Sequence, residues 1–401
     1  RPGTRACIPG GKDIVVALAD DLAIYALGYY MHESHPVRLD HLCLNTVQRR
    51  NPCDICGTVC PKGLPIYESK PDWHGCINCN LCVSACPTEA IHESSSSFAA
   101  LTAALDSATD AIVFGCPKAQ GHVDVTVPCL AALPWEVLAT AALTRTAVVK
   151  THPCKECDDQ VSFDEVKDLL RTLRCFFGKE EFARRVLSAE PKDRRAARGA
   201  LRRQAFGSAG AEAAVNPGSV IMSHYRAMLV EALESLPDDE RPQVTWPTLE
   251  EDGNCQGCEI CVRICPHHAI ELRIPGQAEY QELREAEKRA KRAPRRLAEG
   301  EAPPISVEEA RAAYDAAVGH AREEGIGQAL IHDASLCTQC GLCYMTCPNE
   351  NLGGWDAITT ANVPALVEHP VSLRLCEKCG RAFKPEGDEV ACKACSRVNF
   401  F

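Results

Sequence analysis

Apolar positions keep a helical period in the middle of the chain. Phe163, Val166, Leu169, Leu170, Leu173 and Phe177 fall on one face and predict a helix. Ile221–Leu236 carries another such stretch, so residues 161–249 read as a helical region. Just before it the pattern changes. The short apolar runs Ala111–Phe114, Val123–Val127 and Ala147–Lys150 read as strands, and Leu133–Leu143 as a helix with Pro134 near its first turn. Residues 98–160 are therefore expected to form a small α/β domain. Near the N-terminus, Ile14–Tyr30 is apolar but interrupted by Asp20 and Asp21, and it is short for a membrane span. It reads as a buried helix within a helical lead-in over 1–42. Ser94–Ser97 reads as a linker or helix start. Glu282–Arg292 reads as an exposed helix in a charged stretch, broken by Pro294, Pro303 and Pro304.

Cysteine spacing changes the picture more than any periodicity. Cys76, Cys79, Cys82 and Cys86 follow C-x2-C-x2-C-x3-C. So do Cys255, Cys258, Cys261 and Cys265, and again Cys337, Cys340, Cys343 and Cys347. Proline follows each run at once: Pro87, Pro266 and Pro348. This is the ligand run of bacterial [4Fe–4S] ferredoxins, where four thiolates at this pitch wrap a cubane. Zinc sites use paired C-x2-C knuckles instead. In two-cluster ferredoxins the fourth cysteine crosses to the other cluster, so runs come in pairs. Cys255, Cys258, Cys261 and Cys347 are expected to hold one cubane, and Cys337, Cys340, Cys343 and Cys265 the next. The stretch 276–330 then becomes a charged insertion within one domain.

The first run needs a partner. Cys53, Cys56 and Cys60, followed by Pro61, match the last three positions of the pattern, but the first falls on Arg50. Cys43 is the nearest replacement. One cluster is expected on Cys76, Cys79, Cys82 and Cys60, and another on Cys43, Cys53, Cys56 and Cys86. If Cys43 does not reach, that site keeps three cysteines and an open iron or another ligand.

Each block resembles the bacterial-type two-cluster ferredoxin family, over roughly residues 43–95, 250–275 and 331–355. Two runs continue as Cys-Pro-x-x-Ala-Ile, Pro87 to Ile91 and Pro266 to Ile270. The third departs, with Asn349, Glu350, Asn351 and Leu352 after Pro348. Between the blocks, Cys116, Cys129, Cys154 and Cys157 stand at the ends of the expected strands. The segment Val127-Pro128-Cys129, an Ala/Leu helix, then Val148 to Pro153, Cys154 and Cys157 resembles the delta subunit of methyl-viologen-reducing hydrogenases, an iron–sulfur adaptor. That resemblance implies a further cluster, [2Fe–2S] or [4Fe–4S]. Zinc and a C-x-x-C dithiol at Cys154 and Cys157 are the alternatives. Cys7 and Cys175 have no evident partners and read as buried structural thiols. His267 and His268, beside Cys265, read either as groups tuning a cluster or as surface residues at a helix start.

Cys376, Cys379, Cys392 and Cys395 make C-x2-C-x12-C-x2-C. Two such knuckles suit tetrahedral zinc, with rubredoxin-like iron as the rival, and a module this small needs its metal to fold. The expected architecture is α+β: ferredoxin-like 2[4Fe–4S] modules at 43–97 and 250–369, the α/β domain, the helical region and a zinc ribbon at 370–401.

Composition narrows the function. A net charge of −11 argues against a general nucleic-acid binder. The basic stretches Arg194–Arg203 and Lys288–Arg296 read as solvated helix faces. Of the twenty-six cysteines, all but Cys7 and Cys175 fall into metal-ligand patterns, so the thiols must stay reduced, which points to a cytoplasmic, anaerobic or low-potential setting. No G-x-G-x-x-G follows a strand, so no flavin or nicotinamide site is expected. The reading is a multi-cluster electron-transfer subunit without a substrate of its own. The resemblance implies a hydrogenase, a formate dehydrogenase or another molybdopterin enzyme as partner. Two other classes stand beside it: an enzyme with a substrate-binding cluster at Cys53–Cys60, and a metal-dependent assembly scaffold.

Overall fold

The computed structural model describes residues 35–40, 42–47, 53–92, 104, 110–157, 163–188, 224–291 and 305–396. Those up to Pro242 belong to one compact unit and those from Gln243 to another. The expected helix Ile14–Tyr30, Cys7, Ser94–Ser97 and Arg194–Arg203 lie outside the described residues.

In the first unit, Val37–Arg38 (β1) pairs antiparallel with Ile91–His92 (β2), joining the ends of the first cysteine block. Between them run three short helices: Leu44–Val47 (α1), Ile55–Thr58 (α2) and Leu81–Ala85 (α3). Such short helices gain little from their own hydrogen bonds, so packing must hold them. Cys56, Ile66, Cys82, Val83 and Ile91 form that small core. The Arg38 guanidinium donates to the carbonyls of Ile66 and Glu68, both at 2.6 Å, and pins the intervening loop to β1.

Next come Ala111–Gly115 (β3), Val125–Thr126 (β4), the helix Trp135–Thr144 (α4), Thr146–Val149 (β5), the helix Phe163–Arg185 (α5) and Val186–Ser188 (β6). The four strands lie parallel in the order β4-β3-β5-β6. Their uninterrupted apolar runs suit a parallel sheet covered by helices. Val137–Leu143 of α4 is buried throughout. Gly178, at φ +74, interrupts α5 where only glycine is unstrained. The strand β6 falls where the sequence reads as helix. Its apolar signal is two residues long, and the edge of β5 recruits it. His224–Glu234 (α6) docks on α4 through Arg226, 3.0 Å from Glu136 and 5.0 Å above the Trp135 ring. Burial pushes the Glu136 carboxyl pKa up, while Arg226 pulls against it.

The second unit begins with Val244–Glu251 (β7), Ile260–Ile264 (α7) and Ile270–Arg273 (β8). The helices Gln277–Ala290 (α8) and Val307–Glu323 (α9) follow, then Ala329–Asp333 (β9), Leu342–Met345 (α10), Leu352–Thr360 (β10) and Leu366–Pro370 (β11). β7 pairs with β10, and β8, β9 and β11 form an antiparallel sheet in the order β11-β9-β8. A domain boundary expected at 249/250 therefore falls inside β7, whose Val244, Trp246 and Leu249 are core residues. The charged insertion is a helical hairpin of α8 on α9, held by Leu283, Ala286 and Ala310. Leu283 is wholly buried, so α8 is not the exposed helix its charges suggest. Leu283→Ala is expected to cost about 2–5 kcal/mol. Glu282→Ala, on the exposed face, should cost almost nothing in the same denaturant titration by circular dichroism.

His332 in β9 is 1% exposed and accepts at Nδ1 from the Thr248 hydroxyl (3.0 Å) and the Leu249 N–H (3.3 Å). Burial, with His369 nearby, lowers its pKa from the usual 6.5 to about 4. Below pH 6.5 the unfolded imidazole takes a proton that the folded one refuses, so stability falls as pH drops toward 4. The loss expected at pH 5 is ~2 kcal/mol. A His332→Asn variant should lack this component, which denaturant midpoints at pH 7 and pH 5 will reveal.

Candidate metal centres

Four short helices carry the third cysteine of their run at the second position: Cys56 in α2, Cys82 in α3, Cys261 in α7 and Cys343 in α10. They pack in pairs, α2 with α3 and α7 with α10. Each pair brings two runs together. The flanking loops repeat one backbone device. Asn78, Gly257 and Gln339, two residues after the first cysteine, have φ of 53°, 70° and 57°. Asn80, Glu259 and Gly341, after the second cysteine, have 61°, 57° and 77°. Glu89, His268 and Glu350, three after the fourth, have 50°, 50° and 54°. Left-handed backbone costs an ordinary L-residue ~1–2 kcal/mol.

The return is visible at the sulfurs, because these turns aim backbone N–H groups inward. Asn78 and Gln339 donate to Cys76 and Cys337 Sγ at 3.4 and 3.5 Å. Ala90 and Ala269 donate to Cys86 and Cys265 at 3.2 and 3.3 Å. The third run differs here. Asn351 replaces that alanine, and its Oδ1 accepts from Cys347 Sγ at 2.8 Å. Its amide donates to Glu251, which also accepts from the Cys255 N–H at 3.2 Å.

Repulsion between thiols marks which of them lie near one another. Cys86 and Cys43 act on both Cys53 and Cys56. Cys60 and Cys76 act on Cys79 and Cys82, and Cys56 of the neighbouring set also acts on Cys82. In the second unit, Cys258 and Cys347 act on Cys255 and Cys261, while Cys337, Cys340 and Cys265 act on Cys343. One cavity is lined by Cys255, Cys258, Cys261 and Cys347 with Leu272 and Leu330. Burial and then repulsion from neighbouring thiols push Cys56 and Cys261 up to about 12, and Cys82 and Cys343 upward as well. Thiols crowded in apolar surroundings ionise together only around a cationic centre. Four-sulfur sets with inward N–H donors fit an iron–sulfur group.

The incomplete run is built differently. Asp54, after Cys53, has φ −123°, and among the described residues of this run only Gly63, three after Cys60, keeps the left-handed turn. Asn45 does the remaining work. Its Oδ1 accepts from the Cys53 N–H at 2.9 Å, and its Nδ2 donates to the carbonyls of Cys53 and Tyr67 at 2.5 and 3.0 Å. This clamp carries Cys43, two residues earlier, to the edge of the site.

In the parallel sheet, Cys116, Cys129 and Cys154 follow the C-terminal ends of β3, β4 and β5, the crevice where such sheets bind ligands. Cys154 is pushed up to about 12 by burial and then by Cys116, Cys129 and Cys157. Lys118 Nζ reaches Cys157 Sγ at 3.7 Å. All four cysteines therefore converge.

At the C-terminus, Arg374–Leu375 (β12) and Ala382–Phe383 (β13) make a hairpin, followed by Lys393–Ser396 (α11). The sulfurs of Cys376, Cys379, Cys392 and Cys395 lie within 4.8 Å of one another. Burial opposes ionisation of Cys376, but N–H donors from Cys392, Cys379 and Lys378 outweigh it and bring the thiol down to about 6. A thiolate at neutral pH among close thiols fits a tetrahedral metal. This module packs on the rest of its unit. Leu373 and Ala382 share a core with Ile274, and Lys384 donates to Gly253 O (3.4 Å) and Asn254 Oδ1 (2.9 Å). At Gly257 a Cβ would stand 3.0 Å from Leu373 and 3.2 Å from the Ala382 backbone.

Several functional residues had no signal in a search for ligands. Asn45, Lys118, Glu251 and Asn351 are ordinary polar residues until the fold brings Lys118 and Asn351 to sulfur, and Asn45 and Glu251 to the backbone N–H of Cys53 and Cys255. Only Asn351 was marked, by its departure from the Ala-Ile pattern. Cys175 is exposed, not buried. It lies off the Leu169–Leu173–Phe176 face of α5. His267 is buried, 6% exposed, whereas His268 is exposed and supplies a left-handed turn beside Cys265.

A family model described as a 4Fe-4S dicluster domain matches residues 254–351, and one described as a 4Fe-4S binding domain matches residues 70–92. No curated protein and no solved structure matches the chain.

Proposed function

We propose that this chain, which carries two ferredoxin-type 4Fe-4S domains, is a multi-cluster electron-transfer subunit relaying electrons between a catalytic oxidoreductase and a redox partner. One observation supports the reading: Cys347, last of its run, lines one cavity with Cys255, Cys258 and Cys261, and Cys86, Cys60 and Cys265 likewise lie near the cysteines of the other run in their pair. That exchange is how two-cluster ferredoxins share ligands. In this reading Cys43, Cys53, Cys56 and Cys86 hold one [4Fe–4S] group, and Cys60, Cys76, Cys79 and Cys82 a second. Cys255, Cys258, Cys261 and Cys347 hold a third, and Cys265, Cys337, Cys340 and Cys343 a fourth. Such groups supply one-electron chemistry when bound. The protein's part is to exclude water, fix the sulfurs and stabilise the negative charge through the inward N–H donors.

Cys116, Cys129, Cys154 and Cys157 would hold a further iron–sulfur group. Cys376, Cys379, Cys392 and Cys395 would hold zinc as a structural clamp. A substrate-binding open iron at Cys53–Cys60 requires a missing fourth ligand, and the position of Cys43 speaks against that. The partner class, a hydrogenase, formate dehydrogenase or other molybdopterin enzyme, follows from the resemblance of the middle segment alone. A cytoplasmic site of action fits thiols that must stay reduced. No described helix is long and apolar enough to cross a membrane.

The test is iron, acid-labile sulfide and zinc per chain on anaerobically prepared protein. The expected result is about 16 irons from four cubanes, about two to four more from the middle site, and about one zinc. Little iron with several zincs would overturn the electron-transfer reading.

A further inference from the structure

The middle site does not stand apart from the ferredoxin-type sites of its unit. Cys129 runs directly into the 3-10 turn Leu130–Ala132, and that turn packs against α3. The helix α3 starts two residues after Cys79 and carries Cys82. It also packs against α2, which carries Cys56. Leu130 is wholly buried, and Leu81 and Cys82 are each 6% exposed, so this contact is dry. The sulfur charges report the same order. Cys79 acts on Cys129, and Cys56 acts on Cys82.

We infer that electrons cross this unit in a fixed sequence, with Cys79 and Cys129 as the crossing between the ferredoxin-type site of Cys60, Cys76, Cys79 and Cys82 and the strand-end site of Cys116, Cys129, Cys154 and Cys157. The site of Cys43, Cys53, Cys56 and Cys86 then lies at the far end and reaches the strand-end site only through its neighbour. One electron leaves one site, which is oxidised by one unit, and enters the next, which is reduced by one unit. No bond breaks and no proton moves. One-electron redox proteins supply and remove the electron at the two ends. Lys118, at Cys157, places a positive charge on the strand-end site and favours its reduced form.

This rests on the electron-transfer reading, and its test separates the two. The full-length protein is reduced stepwise with dithionite and followed by electron paramagnetic resonance. A ferredoxin-type signal should broaden and relax faster as the strand-end site becomes paramagnetic, in the unmodified protein. Cys154→Ala with Cys157→Ala should remove about two to four irons and abolish that broadening, leaving the coupling between the two ferredoxin-type signals. Loss of iron without any change in the ferredoxin-type signals overturns the sequence of sites while the relay itself stands. No loss of iron removes the strand-end site from the relay altogether. As a second variant, Cys53→Ala with Cys56→Ala empties the far site, and coupling to the strand-end site should survive. Its disappearance in that variant overturns the proposed order.

Discussion

Replacing Cys376 with alanine is expected to unfold residues 374–396 and to loosen the Cys255–Cys258 loop beside them. The module has two two-residue strands and one short helix. That is too little structure to stand without its metal. Apparent binding energies of structural zinc in finger-sized modules are ~10–16 kcal/mol, and that binding energy is folding energy. The effect should spread because Lys384 holds Gly253 and Asn254, and because Leu373 and Ala382 press on Gly257. Amide hydrogen exchange should lose protection over 374–396 entirely, and over 253–258 in part. Full protection in a variant shown to be free of that metal would mean the hairpin stands on apolar contacts alone. The metal that the unmodified protein holds and this variant lacks settles zinc against iron at the site.

The second large effect is a crossed pattern of losses. Cys86→Ala should remove the cluster shared with Cys43, Cys53 and Cys56, not that of the run in which Cys86 stands. Cys60→Ala should do the reverse. Each should lower iron by about four per chain. Cys43→Ala combined with Cys86→Ala should lose no more iron than either alone, because both empty one site. Cys60→Ala combined with Cys86→Ala should lose about eight. Asn45→Ala should reproduce the Cys43→Ala spectrum without touching a ligand, since the Asn45 amide is what holds the Cys43 segment to Cys53. If Cys86→Ala and Cys76→Ala erased the same signal, the crossed assignment would be wrong.

The cysteine runs were legible because metal ligation imposes a fixed pitch that no other constraint produces. The strands β3 and β5 were legible because short apolar runs holding Ile112-Val113 and Val148-Val149 have few alternatives. What escaped had weaker local signals. β7 alternates Val244, Trp246 and Thr248 toward the core, but Pro247 sits within it and argues against a strand. It survives because β7 pairs with β10 alone, so Pro247 needs no second donor. α8 looked solvated because its charges outnumber its apolar residues, and one buried face with Leu283 suffices to dock it. Asn45 could not have been found from spacing. Its importance depends on a loop eight residues later folding back on it.

Among the described residues, every non-glycine with a left-handed backbone belongs to a cysteine run: Asn78, Asn80, Glu89, Glu259, His268, Gln339 and Glu350. Outside the two asparagines each bend costs ~1–2 kcal/mol, and the N–H groups it turns toward sulfur return most when the thiols are ionised around a metal centre. A newly made chain is therefore expected to hold these loops less firmly before it receives iron and sulfide. Loading and the final ordering of these loops are then expected to go together, with the cysteine loops more open to proteases and oxidants until then. The interval between synthesis and loading is then the most vulnerable stage in the life of this protein, and cellular abundance would follow iron supply as closely as it follows expression.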